Sequence, residues 1–130
     1  MERRDDFYIP EEIVEWIGLK KSEYLSRLIE RIAPDDIGFE KFHLFDAFVP
    51  QTIEVPDRIF EGVDEGHKIQ TYVRTFPENG GFHQIVIGIV VPDKASDASV
   101  FVPILTFVSR KQELIQEFCA GEAKRRPTLN

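Results

Sequence analysis

Three apolar runs dominate the middle of the chain: KIQTYVRTF from Lys68, FHQIVIGIVV from Phe82 and VFVPILTFVS from Val100, with PENGG and PDKASDAS between them. Each run is rich in β-branched and aromatic residues and each gap is built of turn formers, which is the pattern of antiparallel hairpins. Pairing Phe76 with Phe82 and Val91 with Val100 gathers Ile69, Val73, Ile85, Ile87, Ile89, Val100, Val102, Ile104 and Val108 on one face. So large an aliphatic set cannot be left wet, and it is the predicted buried face. The opposite face then presents Tyr72, Arg74 and Phe76 beside Phe82, Gln84 and Val86, with Phe101, Leu105 and Phe107 on the last strand. Pro103 has no amide hydrogen to give a ladder, so the last strand is expected at a sheet edge, or with a bulge at that residue.

The flanking segments supply helices and one more strand. Residues 10–17 predict a short helix with Pro10 at its first position and Glu11 and Glu12 at the positive end of its dipole, ended by Gly18. Ser22 can cap a second helix, with Leu25, Leu28, Ile29 and Ile32 at i, i+3, i+4, i+7 spacing up to Pro34, so the two form an αα-hairpin. FEKFHLFDAFV repeats Phe39, Phe42, Phe45, Phe48 and Val49 at helical spacing, and Pro50 either kinks that helix or opens a new turn. RIFEGV reads as a short first strand turning through Asp64, Glu65 and Gly66 into Lys68. A closing helix from Lys111 to Ala120 carries Leu114, Ile115 and Phe118 on one side and stops at Gly121. The resulting fold class is α+β: N-terminal helices packed on one face of a four-stranded antiparallel meander, with a C-terminal helix. At 130 residues this is a single domain, with residues 1–9 an N-terminal arm and 121–130 a flexible tail.

Charge and cysteine count narrow the function classes. A formal net charge of -7 argues against a surface built for nucleic acid, and DNA is disfavoured as a partner. Lys20 with Lys21, and Lys124 with Arg125 and Arg126, read as solvated basic patches. The single cysteine, Cys119, excludes an internal disulfide and reads as a packing residue at a helix end. No apolar run is long enough to span a membrane and the first ten residues are charged, so the expected location is cytoplasmic, with no membrane partner.

The chemistry-bearing residues are few. His43, His67 and His83 show no metal-ligand spacing, and neither a metal nor a cofactor is expected. His43 and Asp46 stand at i and i+3, where the carboxylate could orient an imidazole for general acid–base work. His83 reads as a satisfied histidine at the end of an apolar strand, and His67 as a turn residue. Arg74, between Tyr72 and Phe76 and opposite Gln84, would have aromatic neighbours to stack on and room in front for a phosphate. The open face around Tyr72, Arg74, Phe76, Gln84 and Phe107 is therefore the expected substrate-binding or partner-binding surface.

From His43 onward the order of a helix, TIEVPDRI, a Tyr-x-Arg-x-Phe strand, an apolar strand and a last strand bearing Thr106 resembles the phage-associated branch of the barnase, EndoU, colicin and RelE-like ribonuclease toxins. The matching positions are His43; Thr52, Ile53, Pro56, Asp57 and Ile59; Tyr72, Arg74 and Phe76; and Thr106, within residues 39–109. The resemblance implies metal-independent RNA cleavage through 2′-hydroxyl attack, with His43 as acid or base, Arg74 clamping the phosphate, and Tyr72 or Thr106 positioning the substrate. An alternative is a non-enzymatic acidic module, antitoxin-like or immunity-like, whose negative surface suits a basic protein partner. A third is a helix-turn-helix over residues 11–32, with Gly18 in the turn and Ser22, Tyr24 and Arg27 on the second helix. RNA or a protein is thus the expected partner, and the residues give no oligomeric state.

Overall fold

A computed structural model describes residues 9–93, 98–120 and 126–127. Its framework is the expected α+β one, a meander of β1 (Arg58–Asp64), β2 (His67–Phe76), β3 (Phe82–Pro92) and β4 (Ser99–Ser109), preceded by helices and followed by one. All pairings are antiparallel, with Phe76 opposite Phe82 and Val91 opposite Val100 as the turns require. Glu65 and Gly66 both have positive φ in the two-residue β1–β2 turn, the left-handed geometry such a hairpin demands. A two-residue strand β5 (Arg126–Pro127) adds to the outer edge of β1, so the sheet order is β4-β3-β2-β1-β5. Those two residues lie within the expected flexible tail; the remainder of that tail and residues 1–8 of the arm fall outside the described residues.

β4 is both an edge and bulged. Its register with β3 slips between Ile87 and Gly88, which face Leu105 and Pro103, leaving Ile104 as the extra residue. Side chains alternate along a strand, so one added residue exchanges the faces of everything beyond it. Val100 and Val102 keep the predicted face, but Leu105 and Phe107 turn inward to join Ile69, Val73, Ile85, Ile87 and Ile89, while Val108 turns to the other side. Phe107 is consequently core, at 1% exposure, and its expected place on an open substrate face is corrected.

The helix α1 (Glu11–Arg31) covers the β-branched face and is continuous over its 21 residues. There is no αα-hairpin: Gly18 lies mid-helix, and the helix-turn-helix geometry is absent. The inward stripe runs Ile13, Trp16, Ile17, Lys20, Tyr24 and Leu28, an i, i+3, i+4 pattern that passes Gly18 without a break. It looks interrupted in sequence because one inward position is a lysine. Lys20 is 5% exposed, with Nζ 3.1 Å from Glu23, 3.3 Å from Asp64 and 3.5 Å from Glu65. Burial works against its charge, but the hydrogen bonds it donates to Glu23 and Asp64 outweigh it and raise its pKa. Asp64 also accepts from the Tyr24 hydroxyl at 2.5 Å, and Glu65 from the Trp16 indole at 2.8 Å, so the β1–β2 turn is fastened to α1. The C-terminal helix α3, at residues 112–120, closes the same face with Leu114, Ile115, Phe118 and Cys119, and Arg31 bonds to Glu117 across the two helices.

The aromatic segment takes an unexpected form. Phe39–Phe48 is a 3-10 helix, and Pro50 then starts a separate short helix, α2 (Val49–Glu54). Phe39, Phe42, Phe45 and Phe48 are spaced by three, which at three residues per turn sets them in one row. In an α-helix at about 100° per residue, Phe39 and Phe48 would point about 180° apart. Phe45 and Phe48 pack on Phe82 and Phe76 with Val108, the face opposite α1, while Phe42 reaches Phe107. The 3-10 helix contacts β4, and α2 contacts β3 and β2, so the segment crosses that face at the β2–β3 hairpin end.

An uninterrupted α1 has a measurable corollary. Gly18 is exposed, and a Cβ there meets nothing within 4 Å. Gly18→Ala is therefore expected to stabilise the fold by about 0.5–1 kcal/mol, read as a rise in the urea midpoint; a drop would mean that residue 18 sits in a turn.

Candidate functional site

Two concavities between α1, the 3-10 helix and the end of β4 adjoin one another. A cleft of about 790 Å³ is bounded by Ile29, Asp36 and Ile37 of the loop after α1, Phe39 and Leu44 of the 3-10 helix, and Arg110. A second, of about 510 Å³, is bounded by Lys21 and Leu25 of α1, Phe42, His43 and Asp46, and Pro103–Thr106 of β4. Phe39 and Glu40 border both, so together they form one long groove. Its apolar rim stands out: Ile29 is 45%, Phe39 47% and Leu44 64% exposed. Phe39, the first member of the 3-10 row, is exposed where Phe45 of the same row is buried; Leu44 lies off the row and Ile29 belongs to α1.

Of the expected catalytic residues, the groove brings together only two. His43, on the exposed side of the 3-10 helix, and Thr106 of β4 line the smaller cleft with Asp46. Tyr72 stands two strands from Thr106 in the row Tyr72–Val86–Thr106, about 10 Å away at the usual strand spacing. Its hydroxyl donates to Gln70 at 2.6 Å, its ring lies 4.7 Å from Phe101, and burial, with Glu61 nearby, raises its pKa.

Arg74 lines neither cleft. α2 ends above it, and Nη1 donates to the Val55 carbonyl at 2.6 Å, a cation placed on the negative end of that helix. Its guanidinium stacks at 5.3 Å over Phe76. The guanidinium is thus engaged by the backbone at the end of the crossing segment and by the Phe76 ring. The same segment buries Phe76 to 4% exposure, and Gln84, at 2%, donates from Nε2 to the Phe107 carbonyl. Phe76, Gln84 and Phe107 are accordingly not a substrate-binding surface, because all three are enclosed.

A second polar cluster escaped notice in the sequence. Thr75, His83 and Ser109 are cross-strand partners on the β-branched face at the hairpin end. His83 Nδ1 shares a 2.8 Å hydrogen bond with the Thr75 hydroxyl. Asp57 accepts from the Thr75 amide at 2.7 Å. Asp36 accepts from the Ser109 hydroxyl at 2.5 Å and from the Arg110 amide at 2.7 Å, and the Arg110 guanidinium in turn donates to the Asn79 and Gly81 carbonyls. Ser109 is fully buried, so its hydroxyl does not face solvent, and its bond to Asp36 clamps the end of β4 to the loop after α1. The signal for it was the alignment of Thr75, His83 and Ser109 once the register is known. Among the described residues, no three His, Cys, Asp or Glu side chains are grouped to hold a metal, and no helix is long and apolar enough to cross a membrane.

His83 gives a pH dependence. Burial and then the Arg58 charge hold its pKa below the ordinary 6.5, against an opposing pull from Asp36 and Asp57. The unfolded chain therefore binds this proton more readily, and the stability the neutral imidazole contributes is present above pH 6.5 and lost as pH falls through the lower folded value. Chemical denaturation of the wild type and His83→Gln from pH 7.5 downward should show the wild type losing more stability below pH 6.5; equal slopes would contradict the assignment.

Comparison of the chain with protein-family models, with curated proteins and with solved structures gave no match.

Proposed function

We propose that the protein is a non-enzymatic, cytoplasmic protein-binding module, antitoxin-like or immunity-like in character, that seats an apolar segment of its partner in the groove between α1 and the 3-10 helix. The observation that carries this reading is the groove's rim, where Ile29, Phe39 and Leu44 stand 45–64% exposed around one concavity. Large apolar side chains converging on a concave site are the usual anchors of protein recognition. The net charge of -7 adds long-range attraction for a basic partner.

A metal-independent ribonuclease is the second reading, favoured by the presence of His43, Asp46 and Thr106 in one cleft. It ranks below the first because Arg74 is held at the end of α2 and the groove's arginine, Arg110, donates to the Asn79 and Gly81 carbonyls, which leaves Lys21 as the cation of the smaller cleft.

The two readings separate in one set of assays. Affinity capture with the wild type, Leu44→Asp, Phe39→Asp and the control Val14→Asp should give a partner retained by the wild type and the control. Each groove substitution should weaken it by about 2 kcal/mol or more, roughly 30-fold in Kd. Single-stranded RNA incubated with the protein and a chelator should stay intact. Cleavage abolished by His43→Ala would transfer the assignment to the ribonuclease, and a partner indifferent to Leu44 and Phe39 would remove the groove from it.

A further inference from the structure

The smaller cleft is walled by opposite charges that do not meet. At three residues per turn, Glu40, His43 and Asp46 form a second row on the 3-10 helix, beside the phenylalanines, and all three line the cleft. At a rise of about 2.0 Å per residue, Glu40 and Asp46 stand about 12 Å apart along the helix axis. The α1 wall supplies Lys21. Among the described residues, the side chains of Lys21, Glu40, His43 and Asp46 make no hydrogen bond or salt bridge, and all four are exposed. Between the two walls the lining is apolar, with Leu25, Phe42 and Pro103 to Leu105. β4 is the sheet edge here, but it does not template a strand: Pro103 has no amide hydrogen and the register slip at Ile104 distorts the ladder. The larger cleft differs, because Asp36 and Arg110 are already bonded within the clamp and Lys41 shares the third row of the 3-10 helix with Leu44.

We infer that the smaller cleft takes an amphipathic helix of a partner protein, apolar on the face that meets β4, basic on the flank along the 3-10 helix and acidic on the flank along α1. The inference rests on the reading of the groove as a protein-docking site and names its occupant. A strand has two faces and so offers two stripes of side chains, whereas the cleft presents three surfaces at once, one acidic, one apolar and one basic. A helix carries three stripes side by side. Basic residues at i and i+7 of an α-helix share one flank and lie about 10.5 Å apart, close to the separation of Glu40 and Asp46. Each new ion pair at an exposed group adds little affinity by itself, so the apolar contacts hold the helix and the charges select it. They also fix its direction, since a helix turned end for end exchanges its flanks and would set like charge against like on both walls.

The test uses the full chain and three fluorescein-labelled peptides that share one apolar face: LKALAQELKALAQE, with one basic and one acidic flank, LKALAQKLKALAQK, with two basic flanks, and LEALAQELEALAQE, with two acidic flanks. Fluorescence anisotropy at about 0.15 M salt, where exposed charges beyond about 8 Å are largely screened, should show saturable binding, with the mixed-flank peptide about tenfold tighter than either of the others. In Lys21→Glu the peptide with two basic flanks should become the tightest, and in the double variant Glu40→Lys, Asp46→Lys the one with two acidic flanks. Lys68→Glu makes the same change of net charge as Lys21→Glu at an exposed position outside the cleft, and it should keep the wild-type order. All the substituted residues are exposed, so the core is untouched, and far-ultraviolet circular dichroism verifies this. No saturation up to about 1 mM peptide, or an order that the cleft substitutions leave unchanged, overturns the inference. The groove reading is judged separately by partner capture: if Leu44→Asp and Phe39→Asp weaken capture while the peptide order stays fixed, that reading stands and this inference falls.

Discussion

The extra residue at Ile104 sets the layout of the molecule. Below it, β4 faces its aliphatic side chains inward in the phase that β3 dictates; above it, the phase reverses, so Leu105 and Phe107 meet α1 and α3 while Val108 meets the aromatic segment. A single unpaired residue thereby lets one strand serve two cores on opposite faces. The neighbouring close approach depends on it as well: at Gly88 a Cβ would come within 2.5 Å of the Phe101 ring and 2.6 Å of the Val102 carbonyl, so the slip is built around a residue without a side chain.

The second core is the reason the sheet is not open. A four-stranded sheet with one wet face needs polar residues across it, whereas this chain places Phe76, Phe82 and Val108 there at the hairpin end. The crossing of the 3-10 helix and α2 answers that need, and it uses up the side chains that would otherwise form a binding surface: Phe76 and Gln84 beneath it, and Arg74 at its end. What remains accessible is displaced to the outer flank of the crossing segment, which is where the groove lies.

The four-stranded meander, its turn positions and the pairings of Phe76 with Phe82 and Val91 with Val100 were legible because turn formers and β-branched runs fix them locally, whereas the added strand β5 was not. What was not legible came from pattern elements that carry two meanings. Gly18 and Lys20 together imitate a helix break, one as a stop signal and one as a polar residue in the stripe, and only the distant carboxylates of Asp64 and Glu65 make Lys20 an inward residue. The spacing of the phenylalanines by three was read as α-helical when its strict regularity specifies the tighter helix. Pro103 signalled an irregularity without giving its direction, and the faces of Leu105 and Phe107 turn on that direction. Of the candidate site, His43 and Thr106 line one cleft, whereas Arg74 donates to the Val55 carbonyl away from it, and no local signal in the sequence reports that α2 ends above it.

The Asp36 clamp has a kinetic meaning. The β1–β2 and β2–β3 turns join neighbours in sequence, but Asp36 and Ser109 are 73 residues apart, and Arg31 and Glu117 are 86 apart. Loop-closure entropy delays such contacts until the meander has brought their ends together. The wall of the groove, built on the loop that Asp36 anchors, is therefore ordered after the sheet. In reverse, losing these long-range contacts would reshape the wall of the groove while leaving the local pairings of the sheet in place.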